Sequence, residues 1–217
     1  MRELRLDVDW RSQSSRTPLT LANASLDDCC VRGCHRLVCS MTERPRARPG
    51  SIVVMGVAAS GKTTVGRALA DQLGWRFLDA DDYHSKRSRA KMRAGQPLTD
   101  RDRLPWLDRL HTALVEAVAA KRPVVLACSA LTERYRRTLI GRLRSVRIVY
   151  LRITPGLARR RIAARTHFFN PGLLTNQFEI LEEPTDAIVV DAARSVRVLA
   201  AEIAKRVTGG SGPKSLT

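Results

Sequence analysis

Gly56-Val57-Ala58-Ala59-Ser60-Gly61-Lys62-Thr63 fits G-x-x-x-x-G-K-[ST] at every position and directly follows the apolar run Ser51-Ile52-Val53-Val54-Met55. This is the order a phosphate-binding loop requires. A buried strand delivers the chain, the loop's backbone N–H groups turn inward around phosphate oxygens, and a helix starting near Lys62 aims the positive end of its dipole at the same anion. In that setting Lys62 reaches the β- and γ-phosphates of a nucleotide, and the Thr63 hydroxyl is a ligand for Mg²⁺. The amphipathic stretch TTVGRALADQLG, Thr63 to Gly74, supplies the helix and separates the loop from a chance glycine-rich turn. The expected nucleotide contacts are Gly56, Val57, Ala58, Ala59, Ser60, Gly61, Lys62, Thr63 and Thr64. Ala59 stands where many such loops place glycine to allow φ > 0, a conformation in which a Cβ costs energy.

Beyond the loop, short β-branched apolar runs alternate with helical periodicity. Strands are predicted over 51–55, 75–79, 124–128, 146–151 and 187–190. Helices are predicted over 62–73, 86–94, 103–120, 133–143, 155–165 and 195–207. The alternation predicts a three-layer α/β fold, a five-stranded parallel sheet with right-handed crossovers and helices on both faces. Ligands in such sheets bind beyond the carboxyl ends of the strands, so the strand ends carry the candidate chemistry.

The second strand ends in Asp79-Ala80-Asp81-Asp82-Tyr83-His84. Period-2 alternation places Asp79 and Asp81 on one side at the carboxyl edge. One carboxylate, Asp79, can then orient through water the Mg²⁺ that Thr63 ligates, while Asp81 accepts the proton of an acceptor hydroxyl or hydrogen-bonds it. An acidic turn capping the next helix is the plainer alternative. The third strand runs into Ala127-Cys128-Ser129-Ala130-Leu131, small residues that leave room for a ligand. No Asp follows that run, so metal orientation falls to Thr63 and Asp79. Cys128 has no histidine near it in sequence and reads as a small buried residue. Thr99 or Asp100 is expected to cap the long helix that follows, a role compatible with substrate contact. Residues 157–177, LARRRIAARTHFFNPGLLTNQ, put Arg161 and Arg165 on one helix face before an Asn-Pro-Gly interruption. The pattern suggests a mobile lid whose arginines close over ATP phosphates or stack on adenine, with a solvated basic face as the alternative.

The net charge of +17 arises from 38 basic and 21 acidic residues, and only six of the basic ones are lysine. The arginines spread over every predicted helix rather than forming one stripe with interleaved aromatics, which argues against nucleic acid as the main partner. No apolar run approaches the roughly 20 residues needed to span a bilayer. The amino terminus also lacks a signal-peptide core, so a cytoplasmic, membrane-free location is expected. Residues 1–49 have no sustained periodicity and end in the breaker-rich ERPRARPG, so they read as a disordered extension. Met41 already begins a complete lead into the first strand, which makes the first forty residues expendable, as an upstream extension or even a misassigned start. Within them Cys29, Cys30, Cys34 and Cys39 lie beside His35, but the second ligand pair of a zinc site is missing. The domain is expected over 50–208, with a flexible tail over 209–217.

Taken together, MGVAASGKTTVG, DADDYH, KMRAGQPLTDRDRLPWL, ACSALTERYR and RTHFFNPGLLTNQFEILEEP resemble the gluconate kinase family, small phosphate-loop kinases related in fold to shikimate and adenylate kinases. The resemblance covers about residues 51–191. It implies transfer of the ATP γ-phosphoryl group to the 6-hydroxyl of D-gluconate with Mg²⁺. Acceptor contacts are expected from Asp81, with His84, Asp100 and Arg134 as further candidates, lid roles from Arg161 and Arg165, and a homodimer is a candidate assembly. Ser85, Ser88, Thr132 and Thr166 depart from the family pattern, which usually has proline, asparagine, a basic residue and glycine at those places. A related small-molecule kinase, or a nucleotide-binding protein with a basic nucleic-acid surface, are the alternatives.

Overall fold

The computed structural model describes residues 50–164 and 171–209, all within the compact unit Glu43–Thr217. The expected extension with its cysteine cluster, the alternative start at Met41, Arg165, Thr166 and residues 210–217 lie outside the described residues.

The strands are β1 (Ser51–Met55), β2 (Arg76–Asp79), β3 (Val124–Ala127), β4 (Val146–Arg152) and β5 (Ala187–Asp191). They form one parallel sheet in the order β2-β3-β1-β4-β5. Every residue of β1 is buried, as a central parallel strand covered on both faces requires. Its alternation decides the two cores. Ile52 and Val54 pack with Val65 and Leu69 of α1 (Lys62–Leu73) and with Leu199 and Ile203 of α7 (Val196–Thr208). Val53 and Met55 face the other way, onto Trp106, Leu107, Leu110 and Leu114 of α3 (Asp100–Ala119).

The remaining helices are α2 (Lys86–Arg93), α4 (Glu133–Ile140), α5 (Pro155–Ala163) and α6 (Pro171–Glu179). The long helix α3 starts at Asp100, three residues earlier than its periodicity suggests. Its start is fixed by polar chemistry instead: the Asp102 carboxylate accepts from both the Thr99 N–H at 3.0 Å and the Thr99 hydroxyl at 2.9 Å. Helix α6 begins within the stretch where the sequence suggested an Asn-Pro-Gly interruption. Proline at the first helical position has its φ preset and lacks only an N–H that would be unsatisfied anyway, so Pro171 starts a helix.

Two departures from the family pattern are absorbed as helix caps. Ser85 Oγ accepts from the Ser88 N–H at 3.0 Å and lies 2.9 Å from Ser88 Oγ, and Thr132 Oγ1 accepts from the Tyr135 N–H at 3.3 Å.

The sheet register levels the strand ends. Asp79 pairs with Ala127, and Ala127 with Val54, two residues before the loop begins. Strand β3, ending in small residues, therefore separates the phosphate loop from the acidic end of β2.

Candidate active site

The loop backbone is built for a ligand that side chains would exclude. At Gly56, φ is 149°, and a Cβ would sit 2.9 Å from the Leu151 carbonyl oxygen and 2.8 Å from Ser60 Oγ. Helix α1 is capped by Gly61 with φ 96° and has no side-chain cap, which leaves its first N–H groups to an anion. Lys62 Nζ donates to the Val57 carbonyl at 2.9 Å, so its ammonium lies over the loop. Buried Ala59 has φ 61°, the left-handed conformation anticipated from its place in the motif. A Cβ there costs about 1–2 kcal/mol, partly offset by the about 0.4–1 kcal/mol that glycine loses through the freer unfolded chain. Ala59→Gly should therefore raise Tm by about 1–4 °C in a thermal melt. A fall in Tm would mean that the Ala59 methyl packs usefully.

Asp79 and Asp81 do converge, but not by strand alternation. The chain leaves β2 at Asp79 and enters a 3-10 turn, Ala80–Tyr83, whose start is capped by Asp79 Oδ1 accepting from the Asp81 N–H at 3.1 Å. The other oxygen, Asp79 Oδ2, accepts from Thr63 Oγ1 at 2.9 Å. The capping and metal readings of Asp79 are thus compatible in one side chain. A hydroxyl and a carboxylate meeting at the mouth of a phosphate loop form a hard-oxygen pair that suits a small divalent cation completed by water and phosphate oxygens.

Asp81 keeps solvent access, yet surrounding protein displaces enough water to raise its pKa. The negative charge of Asp79 raises it further, while Lys62 and His84 pull it down. His84 is buried and stacks on Trp106, with ring centroids 4.4 Å apart. Burial lowers its pKa and favours neutral imidazole, against the upward pull of Asp81. Its Nδ1 is buried without a hydrogen-bond partner, as is Ser60 Oγ. Trp106 Nε1 fixes the turn from below by donating to the Ala80 carbonyl at 2.7 Å.

Asp100 and Arg134 form a separate cluster. Asp100 accepts from Arg134 at 2.9 Å and from the Tyr135 hydroxyl at 2.7 Å, and the Tyr135 bond is the main cause of its lowered pKa. These contacts join α3 to α4 and do not reach the acidic turn. Arg161 donates to the carbonyls of Ala59 at 3.2 Å, Ser60 at 3.4 Å and Ala192 at 2.6 Å. Its guanidinium grips the outside of the loop rather than standing free above it. Cys128 is buried, and burial pushes its thiol up to about 12, which favours the thiol over the thiolate and agrees with a small buried residue.

Two contributors went unassigned in the sequence. Arg136 is buried and donates to the carbonyls of Ala130 and Leu131, holding the segment after β3, where Ala130 has φ 42°. Gln177 of α6 accepts from the Ala58 N–H at 2.7 Å. The only signal for Gln177 is its position three residues after buried Leu174, on the same helix face.

Residues 52–171 match the family model described as AAA domain. A probable gluconokinase of Mus musculus is 47% identical over 155 residues, covering 63% of this chain and 84% of that protein. The thermoresistant gluconokinase of Escherichia coli K12 is 40% identical over 144 residues, covering 64% and 82%. The crystal structure of a gluconokinase from Sinorhizobium meliloti 1021 superposes with a TM-score of 0.63 at 39% identity, over 76% of this chain and 93% of that one. With its phosphate loop, acidic turn and β3 segment all inside the matched region, this chain belongs to the gluconokinase family of phosphate-loop kinases.

Proposed function

We infer that the chain transfers the γ-phosphoryl group of ATP to the 6-hydroxyl of D-gluconate, giving 6-phospho-D-gluconate and ADP. The observation that carries this is the convergence of Lys62, Thr63, Asp79 and Asp81 at one end of the sheet in a chain whose relatives are gluconokinases. The loop amides and Lys62 bind the phosphates and neutralise charge that builds on the transferred group. Asp81 receives the proton of the attacking hydroxyl, and neutral His84 offers one ring nitrogen to another hydroxyl of the acceptor. Asp100 and Arg134 belong to the acceptor side through the α3–α4 joint. Thr63 and Asp79 would hold Mg²⁺, which would supply positive charge against the negative charge of the transferred phosphoryl group.

ATP consumption coupled to ADP release, screened over gluconate, other aldonates, shikimate and nucleoside monophosphates, tests the assignment. Strong turnover with gluconate is expected. Basal turnover with gluconate beside strong turnover with another acceptor would overturn it. A nucleic-acid role is not favoured, because several arginines are already engaged. Arg134, Arg137, Arg152 and Arg194 pair with acidic side chains, while Arg136 and Arg161 bind backbone carbonyls.

Asp79→Asn should weaken the apparent affinity for Mg²⁺ by about 10- to 100-fold, the usual consequence of disturbing a metal's supporting shell. Part of the lost rate should return as the metal concentration rises. If the defect is independent of Mg²⁺, Asp79 acts only as the cap of the 3-10 turn.

A further inference from the structure

The phosphate loop is gripped from outside at three consecutive residues. Arg161 of α5 holds the carbonyls of Ala59 and Ser60, and Gln177 of α6 holds the N–H of Ala58 at 2.7 Å. Between these grips lies the left-handed Ala59, a conformation the chain would leave if unrestrained.

Gln177 is delivered by a well-anchored helix. Leu174 is 2% exposed in the same core as Val57 and Val65, and Phe178 packs against that core. Just beyond α6, the Glu182 N–H donates to the Leu131 carbonyl at 3.0 Å, and the Glu182 carboxylate accepts from the Glu133 N–H at 2.6 Å. Residues 174–182 therefore connect the phosphate loop to the segment after β3, the two walls between which phosphoryl transfer takes place. The Ala58 N–H can only donate, so the carboxamide oxygen must face the loop, which leaves both amide hydrogens of Gln177 for other acceptors.

We propose that Gln177 is a positioning residue for phosphoryl transfer, acting through the Ala58 N–H to hold the strained turn at Ala59 in the shape that receives the nucleotide phosphates. The proposal rests on the kinase assignment but not on the identity of the acceptor. Gln177→Met keeps the length of the side chain and removes its acceptor. It should weaken ADP binding, measured by calorimetry without gluconate, by about three- to tenfold, the size of one hydrogen bond. KM for ATP should rise by a similar factor while KM for gluconate stays within twofold. Relaxing the turn should compensate, so adding Ala59→Gly to Gln177→Met should restore most of the lost ADP affinity. Gln177→Asn, one methylene too short to reach Ala58, is made alongside and read in the same way if the Met variant does not fold.

Nucleotide affinity within twofold of the parent in a folded variant overturns the proposal. So does a proportional loss for gluconate and ATP with no recovery on Ala59→Gly, because that is the behaviour of general loosening. If the parent fails to phosphorylate gluconate yet the ADP effect and its rescue appear, the acceptor assignment falls and the role of Gln177 stands.

Discussion

Asp81→Asn is expected to lower kcat by about 10² to 10⁴, the usual contribution of a positioned general base. Asparagine keeps the shape of the side chain but cannot take the proton of the acceptor hydroxyl, so the loss should fall on kcat more than on KM for gluconate. Excess Mg²⁺ should not repair it, in contrast to Asp79→Asn. The pH dependence gives a second check. The base works only when ionised, and crowding by protein together with the charge of Asp79 raises its pKa. The acid limb of the kcat/KM profile should thus lie above the ordinary carboxylate range. Removing the neighbouring negative charge with Asp79→Asn should move that limb to lower pH. Near-normal kcat in Asp81→Asn would remove the residue from the mechanism.

Lys62→Met should reduce kcat/KM for ATP by about 10² to 10³, comparable with deleting one preorganised donor from a site where transition-state charge develops. Methionine retains most of the apolar stem and removes the ammonium that lies over the loop. The variant loses the bond to the Val57 carbonyl, and its Tm should fall by only about 2–4 °C, the shift expected for about 1 kcal/mol. Lys62 also lowers the pKa of Asp81, so any residual activity should show its acid limb shifted to higher pH. Measurement of kcat, KM for ATP and the pH profile tests both consequences. Unchanged kcat/KM would place Lys62 outside phosphate binding.

The architecture was legible because it depends on short-range patterns. The apolar run of β1 and the helical periodicity of α1 fix those elements at the predicted residues, and the motif between them admits few backbones. The positive φ at Ala59 followed from the same motif. Local rules failed where two local signals competed. Pro171 reads as a breaker and serves as a helix start, whereas at α3 the expected cap at Thr99 holds and sets the start ahead of the helix's periodicity. The Asp79–Asp81 pair was found for the wrong reason, since a turn capped by Asp79 brings together what strand alternation was expected to align.

The sequence by itself therefore determined the strand–helix order, the phosphate loop and the acidic turn, each of which is specified within a dozen residues or so of chain. Only the tertiary structure decided what the long side chains do. Arg161 and Gln177 meet the loop across more than a hundred residues, Asp100 is spent on a joint with Arg134 and Tyr135, and Arg136 is buried under the end of β3. A flexible polar side chain has no periodicity that reveals its partner. Its hydrogen bonds depend on which backbone groups packing leaves unpaired nearby, and that is settled only when the sheet and both helical layers have closed around it.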